Sequence, residues 1–364
     1  INTYIVAVGT PFQNDEPDFT YLQSSSKDIG AVLKKGDMVI LRSTVPVGAT
    51  RNCVVPILEK QSGLSAGRDF SVAFAPERTI EGDALRELQT LPQIIAGIDK
   101  ESAARTRALF EHFTPQCIML DALEEAEMVK LLNNSFRDFN FAFANEFARA
   151  CDVFNLDTNK IINAANEAYV RDKIPVPSPG VGGYCLTKDP YILQYSARKQ
   201  GYDMKLPIAG RRVNEAMPAY VYQQIMKFLN IHHARTAIKR VAFLGFAFKG
   251  NPPTSDIRFS PTIDVLKFLK KHSDIRIFTH DFVVTDKIIA DYGVEPVFDE
   301  DKMFKHNHVV VVMTNHPEYK NLNIKHFRLM EKPALVFDTW SMLPKEKIIS
   351  TKGLYYSNLG YDTI

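Results

Sequence analysis

The sequence has few cysteines, almost no net charge and no long apolar run, and each scarcity excludes something. Cys53, Cys117, Cys151 and Cys185 are the only cysteines in 364 residues, and they form no Cys-x-x-Cys pair and no Cys/His ligand spacing. That excludes a disulfide framework and a structural zinc, so no metal is expected and reduced thiols of a cytoplasmic protein are the default. Forty-four basic against 42 acidic residues leave a net charge of +2. This gives no general attraction to nucleic acid or to an anionic membrane. No stretch approaches the roughly 20 apolar residues that cross a bilayer, and the first residues are not signal-like. Short-period repeats and low-complexity tracts are absent too. What remains, at 45% hydrophobic and 24% charged, is a globular chain long enough for two or three cores.

Short β-rich runs alternate with helical patterns over the first hundred or so residues, at 4–8, 37–41, 71–74 and 93–96. That is the sequence form of a parallel α/β sheet. The run at 4–8 is already under way at the first residues, and Ile1 is not an initiator methionine, so the amino terminus reads as cut. Over 122–154 the period becomes helical: Met128, Leu132, Ser135 or Phe136, Phe139, Phe143 and Phe147 recur without Pro or Gly between them. One long helix is predicted, of the kind that joins domains or forms a dimer seam. Helical signal returns at 159–170 and 218–230, on either side of a Pro- and Gly-rich loop at 174–183. A second α/β unit starts near Lys239, with strands at 241–245, 275–278, 308–313 and 334–338 and a helix at 261–271. The fold class is therefore α/β, two Rossmann-like parallel-sheet domains joined by a helical one. The predicted divisions are 1–120, 121–235 and 236–364.

Four clusters carry chemistry. In Gly180-Val181-Gly182-Gly183-Tyr184-Cys185-Leu186-Thr187-Lys188-Asp189, glycines allow close backbone approach, and a cysteine near a lysine and a carboxylate is equipped as an activated nucleophile. The plain alternative is a buried, inert thiol. Lys130 and Asn134 lie one turn apart on the long helix and so share a face, where cation and amide can hold a developing alkoxide; a solvated surface pair is the alternative. Glu77 and Glu81, in Pro76-Glu77-Arg78-Thr79-Ile80-Glu81, follow a predicted strand, as does Ser43-Thr44-Val45-Pro46-Val47-Gly48. The carboxyl ends of α/β strands carry ligands, although the glutamates equally suit a solvated turn. Lastly Phe248-Lys249-Gly250 and Arg258 sit between a first strand and a helix, where a nucleotide phosphate is received, without Gly-x-Gly-x-x-Gly or Walker sequence. His232, His233, His306, His308 and His316 read as surface or capping residues.

In this order and spacing, the motifs resemble those of the UDP-glucose/GDP-mannose dehydrogenase family, along almost the whole chain. The resemblance implies an NAD-binding Rossmann domain, a central helical domain that dimerises through the long helix, and a UDP-binding Rossmann-like domain. Val8-Gly9-Thr10-Pro11 is similar to the family's cofactor-side strand end. The implied reaction is a four-electron oxidation of a UDP-sugar C6 hydroxyl through a thioester on Cys185. Lys130 and Asn134 would hold the oxyanion, Asp189 and Thr44 would handle protons, and Glu77, with Glu81 beside it, would serve thioester hydrolysis. Thr10, Pro11, Ser43, Thr44, Glu77, Lys188 and Arg258 fall on the cofactor side. Glu77, Glu81, Lys130, Asn134, Gly182, Phe248 and Lys249 fall on the substrate side, with Arg171 and Arg211 as looser substrate ligands.

Pro76-Glu77-Arg78 with Gly82 and Ala84-Leu85-Arg86-Glu87-Leu88 is similar to the branch acting on UDP-N-acetylhexosamines, UDP-GlcNAc or UDP-ManNAc. Tyr184 and Leu186-Thr187-Lys188 depart toward the UDP-glucose branch, and Asn251-Pro252-Pro253 lengthens the loop from Lys249 to Arg258. The family's opening Gly-x-Gly-x-x-Gly is not found before Val8, so the first Rossmann domain reads as incomplete and NAD binding by this chain as crippled. A non-catalytic, UDP-sugar-binding form is the alternative in kind.

Overall fold

The computed structural model describes residues 2–363, which divide into two compact units. The first takes the chain up to Arg137 together with Lys188–Ile208; the second takes Asp138–Thr187 and Ala209 onward.

In the first unit, five strands lie in the order Thr3–Val6, Met38–Leu41, Ser71–Phe74, Gln93–Gly97, Cys117–Leu120. The strands at 38–41, 71–74 and 93–97 are buried along their whole length, as continuous apolar runs in an α/β sheet require. Their side chains alternate between faces. Val39, Leu41, Val72 and Phe74 pack with Leu22 and Leu58 from the helices Thr20–Val32 and Val55–Ser62, while Met38, Ile40 and Ile95 meet Phe110 of the helix Lys100–Phe110. Asp99 caps that last helix by accepting from the Ser102 amide at 2.7 Å. The sheet departs from the predicted all-parallel form at one place: Ser71–Phe74 and Gln93–Gly97 run antiparallel. Residues 75–92 turn back at the carboxyl end of the 71–74 strand instead of crossing the sheet, which keeps the Glu77 loop at the ligand-bearing edge.

The second unit is built on seven strands in the order Glu295–Pro296, Ile275–His280, Lys239–Leu244, Val309–Val312, Ala334–Asp338, Leu354–Asn358, Tyr361–Asp362, all parallel except the last pair. Phe243, Val309, Val311 and Phe337 fill one face, with Met217, Val221, Ile225 and Phe228 from a helix; Ala242, Val310, Val312 and Val336 fill the other. That helix spans Leu206–His232 and carries Pro218 inside it. The predicted start at 218 falls inside this helix: the preceding turns bury Gly210, Arg211, Asn214 and Met217, and burial outweighs the proline as a breaker. The strands at 117–120 and 354–358 were not anticipated, and the helix Thr158–Asn166 stops short of the predicted 170.

The long helix runs Leu123–Phe154. Its predicted apolar stripe is largely not the buried face: Leu132, Phe136 and Phe143 are 57%, 63% and 54% exposed and Phe139 and Phe147 half-buried, while Ser135, the alternative to Phe136, is buried with Leu131, Ala142 and Asn145. Among the described residues, no helix is long and apolar enough to cross a membrane, and no group of three His, Cys, Asp or Glu is arranged to hold a metal.

Two histidines correct the surface reading. His233 and His308 are buried, with ring centroids 4.2 Å apart. His308 Nδ1 accepts the Arg240 amide at 2.9 Å, which an imidazolium cannot do. Burial first, then His233, pushes the His308 pKa down to about 4. A histidine depressed in the folded state contributes stability present above its unfolded value near 6.5 and lost as pH falls toward 4. His308→Asn, which keeps an acceptor and cannot ionise, is therefore expected to shift the change in melting temperature between pH 7 and pH 5 upward relative to the unsubstituted protein, read in a paired thermal melt series.

Candidate active site

In the second unit the cysteine turn is shaped by glycine. Gly180 and Gly183 have φ of +134° and +84°, a region L side chains rarely enter. At Gly182 a Cβ would lie 2.3 Å from the Phe259 carbonyl oxygen and 3.0 Å from Phe248 Cβ. The Gly183 amide donates to the Arg258 carbonyl at 3.1 Å, and Thr187 Oγ1 closes the turn by donating to the Gly183 carbonyl at 2.7 Å. Cys185 is exposed on this turn, so it is no buried, inert thiol. The same packing sets Phe248 and Arg258 against the turn, and Lys249 directly follows Phe248. The Arg258 guanidinium stands 5.1 Å from the Tyr184 ring centroid and 2.6 Å from Asp256, and Lys249 Nζ is 5.5 Å from the Phe248 ring centroid. The strand end beneath is anchored by Asp281, which accepts the Phe246 and Ala247 amides at 2.6 and 3.1 Å.

In the first unit Asp189 is fully buried at the start of the helix Asp189–Lys199. Asn134 Nδ2 donates to one carboxylate oxygen at 2.5 Å and Lys188 Nζ to the other at 2.7 Å. Lys130, one turn before Asn134, is half-buried. The helix also pins the Thr44 loop. Glu127 accepts the Gly48 amide at 2.5 Å, the Thr50 amide at 2.8 Å and the Thr50 hydroxyl at 2.6 Å. Burial pushes the Glu127 pKa up to about 7 despite these donors. Glu77 pairs with Arg42 and accepts the Thr79 amide at 2.8 Å. Burial acts to raise its pKa, but the Thr79 amide and Arg42 outweigh it and hold the carboxyl below its usual value. Glu81 is exposed in the same loop.

Three residues in these arrangements were missed from sequence: Arg42, Glu127 and Asp138. Glu127 was detectable, since it sits three before Lys130 and seven before Asn134 on one helical face; Arg42 and Asp138 gave no local signal. Two residues predicted as substrate ligands have side-chain partners within the protein. Arg171 is exposed, 5.0 Å from the Tyr169 ring centroid. Arg211 is 1% exposed, and its guanidinium is bound by Asp138 at 2.6 Å.

The first sheet tests for a dinucleotide. Thr10 lies just beyond the strand Thr3–Val6, buried, and its hydroxyl has no hydrogen-bond partner among the described residues. Pro11 is half-buried next to it, and Ser43 is buried at the end of the neighbouring strand with its hydroxyl 3.4 Å from the Val6 carbonyl. An orphaned hydroxyl at the carboxyl edge of a parallel strand fits a cofactor that supplies an acceptor there.

Two mainly parallel α/β sheets, one with an edge that fits a dinucleotide, and an exposed cysteine on a glycine-fixed turn are the features of an oxidoreductase of the nucleotide-sugar type. The chain belongs to the UDP-glucose/GDP-mannose dehydrogenase family, matching its NAD binding domain over residues 1–114, its central domain over 124–216 and its UDP binding domain over 242–345. It is an NAD-dependent enzyme. It is 35% identical over 324 residues to UDP-N-acetyl-D-mannosamine dehydrogenase of Pyrococcus horikoshii, covering 88% of this chain and 73% of the relative. To UDP-N-acetyl-D-glucosamine 6-dehydrogenase of Pseudomonas aeruginosa it is 33% identical over 350 residues, covering 95% and 81%. The solved structure of the Pyrococcus horikoshii UDP-D-ManNAc dehydrogenase superposes with a TM-score of 0.86 at 32% identity, covering 99% of this chain and 81% of that one.

The glycine contacts make a prediction. Gly182→Ala would force the turn off the Phe259 carbonyl, and a misplacement of about 1 Å at a reacting group costs about 100-fold in rate. The expected result is a variant with unchanged circular dichroism and kcat lowered by about that factor.

Proposed function

We propose that the enzyme oxidises the C6 hydroxyl of a UDP-N-acetylhexosamine, UDP-GlcNAc or UDP-ManNAc, to the carboxylate in a four-electron reaction with Cys185 as nucleophile. The observation that carries the reading is an exposed thiol on a turn that glycine packing fixes against Phe248, Phe259 and the Arg258 backbone. The names of the two relatives above support the N-acetylhexosamine.

Bound NAD supplies the acceptor for the two hydrides, one cofactor for each, that a primary alcohol gives up on its way to a carboxylate. The chain's own residues do the rest. The alcohol loses a proton with the first hydride and becomes an aldehyde; Asp189 and Thr44, through water, take the proton, and Lys130 and Asn134 stabilise the oxygen as charge develops on it. An amide nitrogen has two hydrogens, so Asn134 serves this oxygen while still holding Asp189. Cys185 Sγ then adds to the aldehyde carbon as thiolate. Loss of the second hydride from that carbon leaves a thioester, and water cleaves the C–S bond to give carboxylate and free thiol. Glu77, kept ionised by Thr79 and Arg42, orients that water, with Glu81 as its neighbour in the loop.

Thr10, Pro11, Ser43, Thr44, Lys188 and Arg258 serve the cofactor, and Gly182, Phe248 and Lys249 the UDP-sugar. Residues 1–120 form the NAD domain, 121–235 the central helical domain and 236–364 the UDP domain. The exposed stripe of Leu132, Phe136 and Phe143 supports a homodimer through the long helix, since an apolar row of this kind on a helix marks an interface. Arg171 then serves the substrate of the partner subunit.

Two experiments test this. Full-length protein given NAD with UDP-GlcNAc, UDP-ManNAc or UDP-glucose is expected to release two NADH per sugar from one of the N-acetylhexosamines, and Cys185→Ser is expected to release none; a single NADH per sugar, or turnover by the serine variant, would overturn the thioester route, and preference for UDP-glucose the choice of sugar. Analytical ultracentrifugation is expected to find a dimer that Phe136→Glu dissociates to monomer.

A further inference from the structure

Arg211 is among the largest fully buried side chains of the protein, and neither a core nor a ligand site explains it by itself. Its guanidinium donates to Asp138 Oδ1 at 2.6 Å, to the Leu186 carbonyl at 3.3 Å and to the Val181 carbonyl at 3.1 Å, with Glu215 Oε1 3.3 Å from Nε. Leu186 directly follows Cys185, and Val181 directly precedes the glycine pair. The fork therefore grips the turn on both sides of the thiol.

Asp138 continues a line of buried polar groups. Asn214 Nδ2 donates to Asp138 Oδ1 at 2.9 Å, Asn145 Nδ2 donates to Asn214 Oδ1 at 2.8 Å, and Asn145 Oδ1 accepts the Ser178 amide at 2.7 Å. Ser178 Oγ in turn donates to the Gly180 carbonyl at 3.1 Å. The chain of contacts thus reaches the loop at Ser178, Gly180, Val181 and Leu186, through residues nearly all of which are buried. A buried ion pair with its attached amides costs desolvation that an apolar core would avoid, and its return is one fixed arrangement of the backbone it bonds. Arg211 is suited to this because a rigid, always-charged fork holds several acceptors at set angles, which an ammonium cannot.

We propose that Arg211, held by Asp138, is a positioning residue that fixes the turn presenting Cys185, and is not a substrate ligand. This rests on the reading of Cys185 as nucleophile. The test is Arg211→Lys, which keeps the charge and loses the fork, followed by kcat, KM for the UDP-sugar, and hydrogen exchange of the 181–187 amides. The expected result is kcat lowered about 100-fold, KM changed by less than about twofold, and faster exchange confined to the loop, with guanidinium ion restoring part of the activity of Arg211→Ala. A raised KM with kcat and exchange unchanged would identify a substrate ligand and overturn the proposal, as would unaltered exchange and rate. Should Arg211→Lys fail to fold, Asp138→Asn, which keeps the shape and removes the counter-charge, is measured in the same way, and the same results support or overturn the positioning role. Loop exchange that rises in these variants while Cys185→Ser retains full turnover would leave the positioning role standing and remove the nucleophile.

Discussion

Under the proposed thioester route, the Cys185 thiol must be open to its surroundings while the backbone that carries it does not move. That pair of demands governs the second unit. Solvent-facing loops are ordinarily the mobile part of a protein, and the turn of Cys185 escapes this by having no room to shift. Gly182 lies against the Phe259 carbonyl and Phe248, Gly183 bonds the Arg258 carbonyl, and Arg211 holds both flanks from below. The thiol is exposed, while Gly182, Gly183 and Arg211 around it are buried.

Buried carboxylates recur in both units, each meeting a specific set of donors. Asp189 meets Asn134 and Lys188, Glu127 meets the amides and hydroxyl around Gly48 and Thr50, and Asp138 meets Arg211 and Asn214. An isolated carboxylate in such surroundings would take up a proton, and the balance differs from one to the next. Burial pushes Asp138 up to about 6 against the pull of Arg211, and Glu127 to about 7. Half-buried Glu77 stays below its usual value because Thr79 and Arg42 outweigh its burial. Such groups set backbone positions first: Glu127 ties the loop bearing Thr44 to the helix bearing Lys130 and Asn134.

Legibility followed the range of the interaction. The strands at 71–74 and 334–338 were read at their observed limits and the long helix within a residue, because their signals are continuous apolar runs and a sustained period. The strand at 117–120 was missed although Cys117-Ile118-Met119-Leu120 is an unbroken apolar run, because a run of about four residues does not by its period tell a strand from a helix end. The histidines misled for the opposite reason: polar residues beside a strand read as surface, while His308 is held inside by an amide that lies 68 positions away in sequence. Arg211 is held by the same kind of long-range contact. A basic residue near a nucleotide-sugar motif reads as an anion ligand, and its acceptors are an aspartate 73 residues away and two carbonyls with no side-chain signature.

By itself the sequence determined the α/β class, the family, the NAD requirement and the segments that carry the chemistry, because these depend on local periodicity and on residue types at fixed spacing along the chain. Only the tertiary structure decided which of those residues are exposed and which are buried and paired. It turned one strand pair antiparallel, put most of the apolar stripe of the long helix on the outside, exposed Cys185 and buried Arg211. The physical reason is that burial and hydrogen-bond partnership are relations between distant segments: whether a charge is solvated, paired or clamped under a loop depends on what folds over it.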